Sequence, residues 1–207
     1  MTIELNKYIE HTLLAADASV EQIIQCCQEA IDFEFAAVCV NPCYVNLAAH
    51  LLANTGVKTA TVIGFPLGAS QTEVKAFETK AALENRVDEL DMVINIGAVK
   101  SGQWDAVLQD IKAVVAAAED KIVKVIVEAA LLTADEKRHV CEIVLQAGAH
   151  FIKTSTGFAT GGATVEDISL FKAIIGDACC GIKASGGIKT KKQALAMIEA
   201  GATRIGT

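Results

Sequence analysis

Apolar residues along the chain gather into short clusters at positions 9–14, 35–40, 59–65, 89–96, 123–129, 151–155, 181–185 and 203–206. Several are rich in Val and Ile, and they recur every ~22–34 residues, the spacing of one strand-plus-helix unit. The stretches between them read as amphipathic helices with legible starts. Ser19 with Gln22, Ser70 with Glu73, Thr133 with Glu136, and Thr190 with Gln193 have capping-box spacing, in which two side chains satisfy the free amides of a helix start. Asn41-Pro42 offers a further start, a capping side chain followed by proline at the first helical position. Gly56, Gly148 and Gly201 follow helical stretches, where a left-handed residue ends a helix at least cost. After Ser19, the residues Val20, Ile23, Ile24, Cys27 and Ile31 form one apolar stripe.

Eight strands joined by seven helical crossovers predict a parallel sheet, and eight such units close into a (β/α)8 barrel, a TIM barrel. The competing open doubly wound sheet lacks its G-x-G-x-x-G turn after the first strand, and no P-loop occurs. The prediction is α/β: one barrel domain over residues 1–207, with no eighth helix after the last strand.

Composition narrows the chemistry. The 207 residues are 52% hydrophobic with 15 Gly and 2 Pro, which excludes a disordered or collagen-like chain. Lys and Arg number 18 against 25 Asp and Glu, a net charge of −7. Nucleic acid is therefore not the expected partner, because phosphate-backbone affinity needs clustered cations. No apolar run approaches a membrane span, and MTIELNKYIE is not a signal peptide. Seven Cys with no C-x-x-C spacing read as reduced thiols in a cytoplasmic protein. Cys39, near the end of its strand, could instead approach a site.

The strands carry charge where a barrel interior should be apolar. Side chains alternate faces along a strand, so Asp91 shares a face with Val93 and Asn95, Lys124 with Ile126 and Glu128, Lys153 with Phe151 and Ser155, and Lys183 with Gly181 and Ser185. Each lysine alone could snorkel or pair with a carboxylate. Three in phase on successive strands beside one acid point to a site, because a buried unpaired charge costs about 3–5 kcal/mol. Crowded cations disfavour the ammonium form, and a neutral amine can attack a carbonyl to form a Schiff base. A neighbouring acid can then shuttle protons through dehydration and carbon–carbon cleavage. Metal chemistry is poorly provided for: His11, His50, His139 and His150 form no H-x-H or H-E-x-x-H pairing. Gly186-Gly187 after the seventh strand, and Thr154, Ser155, Thr156 and Gly157 after the sixth, suit a phosphate, although glycines also serve turns for backbone reasons alone.

Four motifs, FIKTSTGF at 151–158, GIKASGGI at 181–188, ELDMVINIG at 89–97 and VIGFPLGA at 62–69, resemble the deoxyribose-phosphate aldolase family. The likeness runs from HTLL at 11–14 to GATRIGT at 201–207. It implies a (β/α)8 barrel that reversibly cleaves 2-deoxy-D-ribose 5-phosphate to acetaldehyde and D-glyceraldehyde 3-phosphate, in deoxynucleoside catabolism, with no metal or organic cofactor. By the same resemblance Lys153 forms the Schiff base, Lys183 perturbs it, Asp91 belongs to the acid–base relay, and Lys124 lines the site. Gly157, Gly186, Gly187, Thr12 and Thr154 contact the substrate or its phosphate, and the expected assembly is a homodimer. Two departures stand out. Glu10 occupies a position where the family usually has Asp, and the small hydroxylated residues and closing helix that follow Gly-Thr in the family lie outside this sequence. The rival readings are another Schiff-base enzyme of the same fold that uses ketone donors, and a sugar-phosphate binder without catalysis.

Overall fold

The computed structural model describes residues 3–207. Eight parallel strands pair in sequence order and close through β1 against β8: β1 (Ile9–Leu13), β2 (Ala37–Val40), β3 (Lys58–Ile63), β4 (Glu89–Val93), β5 (Ile122–Ile126), β6 (Phe151–Lys153), β7 (Gly181–Ser185) and β8 (Arg204–Gly206). The outer helices are α1 (Val20–Asp32), α2 (Val45–Leu51), α3 (Thr72–Glu84), α4 (Ile96–Lys100), α5 (Trp104–Ala117), α6 (Ala134–Gln146), α7 (Val165–Ile175) and α8 (Lys191–Glu199). Outward-facing strand residues such as Leu90, Met92, Val125, Ile152 and Ile182 pack with the helices in one large core. A separate small cluster of Leu14, Cys39, Ala60 and Val62, with Phe65 against it, fills the apolar side of the interior.

Three of the four expected capping boxes form, at Ser19, Thr133 and Thr190. The Ser70 box does not: α3 starts at Thr72 behind Gln71, with no side-chain cap. The Thr72 hydroxyl instead donates to Asp110 on α5, 3.0 Å away, so a tertiary bond fixes that start. Asn41-Pro42 does begin a short 3-10 turn, yet the Asn41 side chain caps nothing there. The buried stripe of α1 is Ile23, Cys26, Cys27 and Ala30, while Val20 and Ile24 are exposed. That stripe follows the i, i+3, i+4, i+7 rule, and the larger side chains outside it drew the sequence reading off by one face.

Two strands end sooner than their apolar runs. The β4 run continues to Ile96, but Asn95 Oδ1 accepts from the Ala98 amide at 3.0 Å and turns the chain into α4. The β5 run continues to Ala129, but Glu128 takes a left-handed conformation (φ +50°) ahead of a 3-10 turn. Behind β4, the fully buried Lys75 of α3 donates to Asp110 at 2.5 Å and to the Val93 carbonyl at 2.9 Å. That pair ties the C-terminal end of β4, two residues beyond Asp91, to the helical layer. No helix of the described residues is long and apolar enough to cross a membrane.

Candidate active site

The barrel places every one of the predicted interior charges in one connected cluster. Asp91 is opposite Lys124 in the β4–β5 register, and Lys153 is opposite Lys183 across β6–β7. Lys124 lies one layer deeper than Lys153, since its partner on β6 is Phe151. Asp91 Oδ2 accepts from Lys153 Nζ and Lys183 Nζ, each at 2.6 Å, and its Oδ1 accepts from Lys124 Nζ at 2.7 Å. Lys183 also donates to Glu10. Beneath this layer Lys124 pairs with Glu89 at 2.7 Å and with Glu10 at 3.2 Å. Arg204 closes the floor against Glu89 at 2.8 Å and Glu10 at 3.1 Å.

The cluster thus joins four cations to three carboxylates, nearly all withdrawn from water. Charge balance is reached when one cation gives up its proton, and the partner count says which. Lys124 touches three carboxylates and Lys183 two, whereas Lys153 has only Asp91, which it shares with Lys183. Burial depresses all three ammonium groups. For Lys124 the carboxylates Asp91, Glu10 and Glu89 outweigh burial and hold it well above the usual lysine value. For Lys183, Asp91 and Glu10 prevail over burial and over Lys124, and its pKa is raised. For Lys153, burial together with the Lys183 charge prevails over Asp91, and its pKa falls. Burial would raise Asp91, but Lys124, Lys153 and Lys183 hold it well below the usual carboxylate range. Glu10 follows the same pattern, with Lys124 and Lys183 bringing it down to about 2 against burial.

Gly206 packs closely beside this cluster: a Cβ there would sit 3.0 Å from Ser185 Cβ and 3.2 Å from Lys183 Cε. Cys39 does approach the site, its sulfur lying within 4.8 Å of ligand atoms of Glu10 and Asp91. Burial, helped by Asp91, pushes its thiol up to about 12, so it stays protonated near neutral pH. The carboxylates of that trio are already engaged by lysine ammonium groups. The histidines are occupied elsewhere: His11 with Glu29, His139 stacked on Trp104, and His150 accepting from the Val123 amide, while His50 lies on α2.

A pocket of about 460 Å³ opens above Lys153 and Lys183, at the C-terminal ends of the strands. Thr12, Gly157, Gly186 and Gly187 line it, together with Thr156, Phe158, Ile188 and Lys189. Thr154 is fully buried outside it, its hydroxyl donating to the Ser185 carbonyl and accepting from the Ser185 amide, both at 3.1 Å. The amides of Gly186, Gly187 and Ile188 donate to no group among the described residues, which leaves three donors along one wall. The Thr190–Gln193 box occupies the start of α8 itself, so the open amides are those of the preceding loop.

Glu89 and Arg204 were not singled out from the sequence. Glu89 was legible, being two residues from Asp91 on the same face. Arg204 was not, because a three-residue strand has too short a period to phase.

The family description "DeoC/LacD family aldolase" matches residues 6–207. A deoxyribose-phosphate aldolase of Streptococcus gordonii is 57% identical over 204 residues, 99% of this chain and 92% of that protein. One from Streptococcus suis is 56% identical over 204 residues with the same coverage, 99% and 92%. The solved tetrameric deoxyribose phosphate aldolase of Aeropyrum pernix superposes with a TM-score of 0.91 at 34% identity, covering 98% of this chain and 86% of its own. With the lysine–aspartate cluster at the strand ends of a closed barrel, these likenesses establish that the chain belongs to the DeoC/LacD aldolase family.

Proposed function

We propose that the protein reversibly cleaves 2-deoxy-D-ribose 5-phosphate to acetaldehyde and D-glyceraldehyde 3-phosphate through a Schiff base on Lys153. The observation that carries this reading is the partner count: of the three lysines in the cluster, Lys153 has one carboxylate partner, shared with Lys183, its pKa is lowered, and it lines the pocket. The neutral Lys153 amine adds to C1 of the open-chain sugar, and loss of water leaves a protonated imine. Removal of the C3 hydroxyl proton then breaks the C2–C3 bond, whose electron pair moves into the imine to give an enamine. Glyceraldehyde 3-phosphate departs, C2 takes a proton, and water releases acetaldehyde and regenerates the amine. Asp91, in contact with Lys153 and Lys183 at once, serves as the proton relay. Lys183 keeps its charge and disfavours a proton on Lys153, and Lys124 holds Asp91 ionised. The free amides of Gly186, Gly187 and Ile188, with Lys189 at the rim, receive the phosphate, and Thr12 and Gly157 complete the wall.

We also read the protein as a cytoplasmic homodimer, supported by seven free thiols and by exposed Val74 and Phe77 one turn apart on α3; light scattering tests the assembly. Borohydride reduction in the presence of deoxyribose 5-phosphate, followed by peptide mass spectrometry, tests the chemistry. A two-carbon adduct on Lys153 is expected. An adduct on Lys183 or Lys124 overturns the roles, and no adduct with tight binding of the sugar phosphate identifies a binder without catalysis. Turnover of ketone donors without acetaldehyde would identify the ketone-using rival.

A further inference from the structure

Among the described residues, five non-glycine residues have positive φ: Glu34, Asn54, Arg86, Glu119 and Glu128. The first four are exposed and follow the ends of α1, α2, α3 and α5, where a left-handed residue terminates a helix. Glu128 differs on both counts. It is buried, and it stands at the end of β5, beside the Lys153 strand. A buried side chain on a strained backbone persists only when its surroundings require it.

Its carboxylate has one function on view. Oε2 accepts from both the amide (3.2 Å) and the hydroxyl of Thr156. The Thr156 hydroxyl oxygen in turn accepts from the Phe158 amide at 3.1 Å. The Phe158 ring meets Phe65 edge to face at 5.2 Å. Thr156, Gly157 and Phe158 line the same pocket as Lys153. The other oxygen, Oε1, is buried without a partner, as is Ser155 Oγ next to Thr156. The same loop is held tightly on its far side, since a Cβ on Gly162 would lie 2.3 Å from the Gly186 carbonyl oxygen. The wall over Lys153 and the amides proposed for phosphate are therefore mechanically joined.

We infer that Glu128 is a positioning residue: through Thr156 it sets the 156–158 wall against Lys153 and the Gly186–Gly187 loop, and so sets affinity for the long sugar phosphate more than reactivity toward a short aldehyde. The inference rests on the proposed function, because it presupposes that the pocket takes a phosphorylated sugar.

The test compares Glu128→Ala, Glu128→Gln and Thr156→Val in full-length protein. Glu128→Ala is expected to raise KM for deoxyribose 5-phosphate by tenfold or more, with at most a few-fold change in kcat. Its rate of borohydride trapping with acetaldehyde, which is too small to span the wall, should stay within a few-fold of the parent. Glu128→Gln keeps an accepting oxygen toward Thr156 and should recover most of the lost affinity. Should Glu128→Ala fail to fold, Thr156→Val removes the hydroxyl link while leaving the strained residue in place, and KM should rise in the same sense. Unchanged KM in folded Glu128→Ala or in Thr156→Val overturns the inference, as does an equal loss of acetaldehyde trapping. A parent protein that does not cleave deoxyribose 5-phosphate overturns the proposed function instead, so the two failures are distinguishable.

Discussion

Replacing Lys183 with Met isolates the electrostatic claim on which Schiff-base formation depends. Lys153 and Lys183 both donate to Asp91 Oδ2 at 2.6 Å, so their nitrogens are no more than about 5.2 Å apart, twice that contact. At that separation and an effective dielectric of about 20, two unit charges repel by about 3 kcal/mol. Met removes this repulsion and leaves Asp91 Oδ2 to Lys153 alone, and both changes favour the ammonium form. The neutral fraction of Lys153 should fall roughly a hundredfold, at about 1.4 kcal/mol per factor of ten. Because Glu10 keeps Lys124 and Arg204 as partners, the variant is expected to fold. The assay is the rate of borohydride trapping with acetaldehyde across a pH series, which avoids any part Lys183 takes in later proton transfers. A rate reduced roughly a hundredfold near neutrality, recovering as pH rises, is the expected result. A folded variant that traps acetaldehyde at the parent rate with the parent pH dependence would refute the reasoning.

Other consequences are as direct. Asp91→Asn leaves four cations facing two carboxylates, so adduct formation should persist while cleavage slows by ~10²–10⁴-fold, the usual range for a lost acid–base group; single-turnover measurement of the two steps separates them, and normal cleavage would remove Asp91 from the relay. Gly186→Ala places a Cβ at φ +85° and 3.1 Å from the Gly162 backbone, and should raise KM for deoxyribose 5-phosphate while leaving cleavage of unphosphorylated deoxyribose nearly unchanged; equal effects on both substrates would show that this loop does not hold the phosphate. Glu10, brought from 4.5 to about 2, contributes stability that is fully present above its unfolded value and lost as pH falls from about 4.5 to about 2. Urea unfolding of Glu10→Gln should accordingly vary less with pH in that window than the parent, and parallel curves would contradict the folded-state value.

The barrel was legible because each apolar run marks a strand and three of the four capping boxes mark helix starts. Run ends were less legible: Asn95 and Glu128 stop strands through a side-chain cap and a left-handed backbone, neither of which hydropathy encodes. The lysine–aspartate cluster followed from alternation alone, since Asp91, Lys124, Lys153 and Lys183 each lie on a phased face. What alternation could not supply was the apportionment of carboxylates. Glu10 and Glu89 determine which lysine stays charged, and that depends on layer height, hence on register around the closed barrel. Thr154 shows the same limit. It neighbours Lys153 in sequence, but its side chain points to the opposite face and is spent on the Ser185 backbone, while Thr156, beyond the strand end, lines the pocket.

Direct titration of the three lysine side chains, by NMR of selectively labelled Nζ or Cε nuclei with single-lysine variants for assignment, addresses the account at its root. Lys153 should lose its proton below the value of a free lysine, with Lys124 and Lys183 remaining charged above theirs. A Lys153 ammonium that titrates at or above the free value, or a Lys183 that deprotonates first, would contradict it.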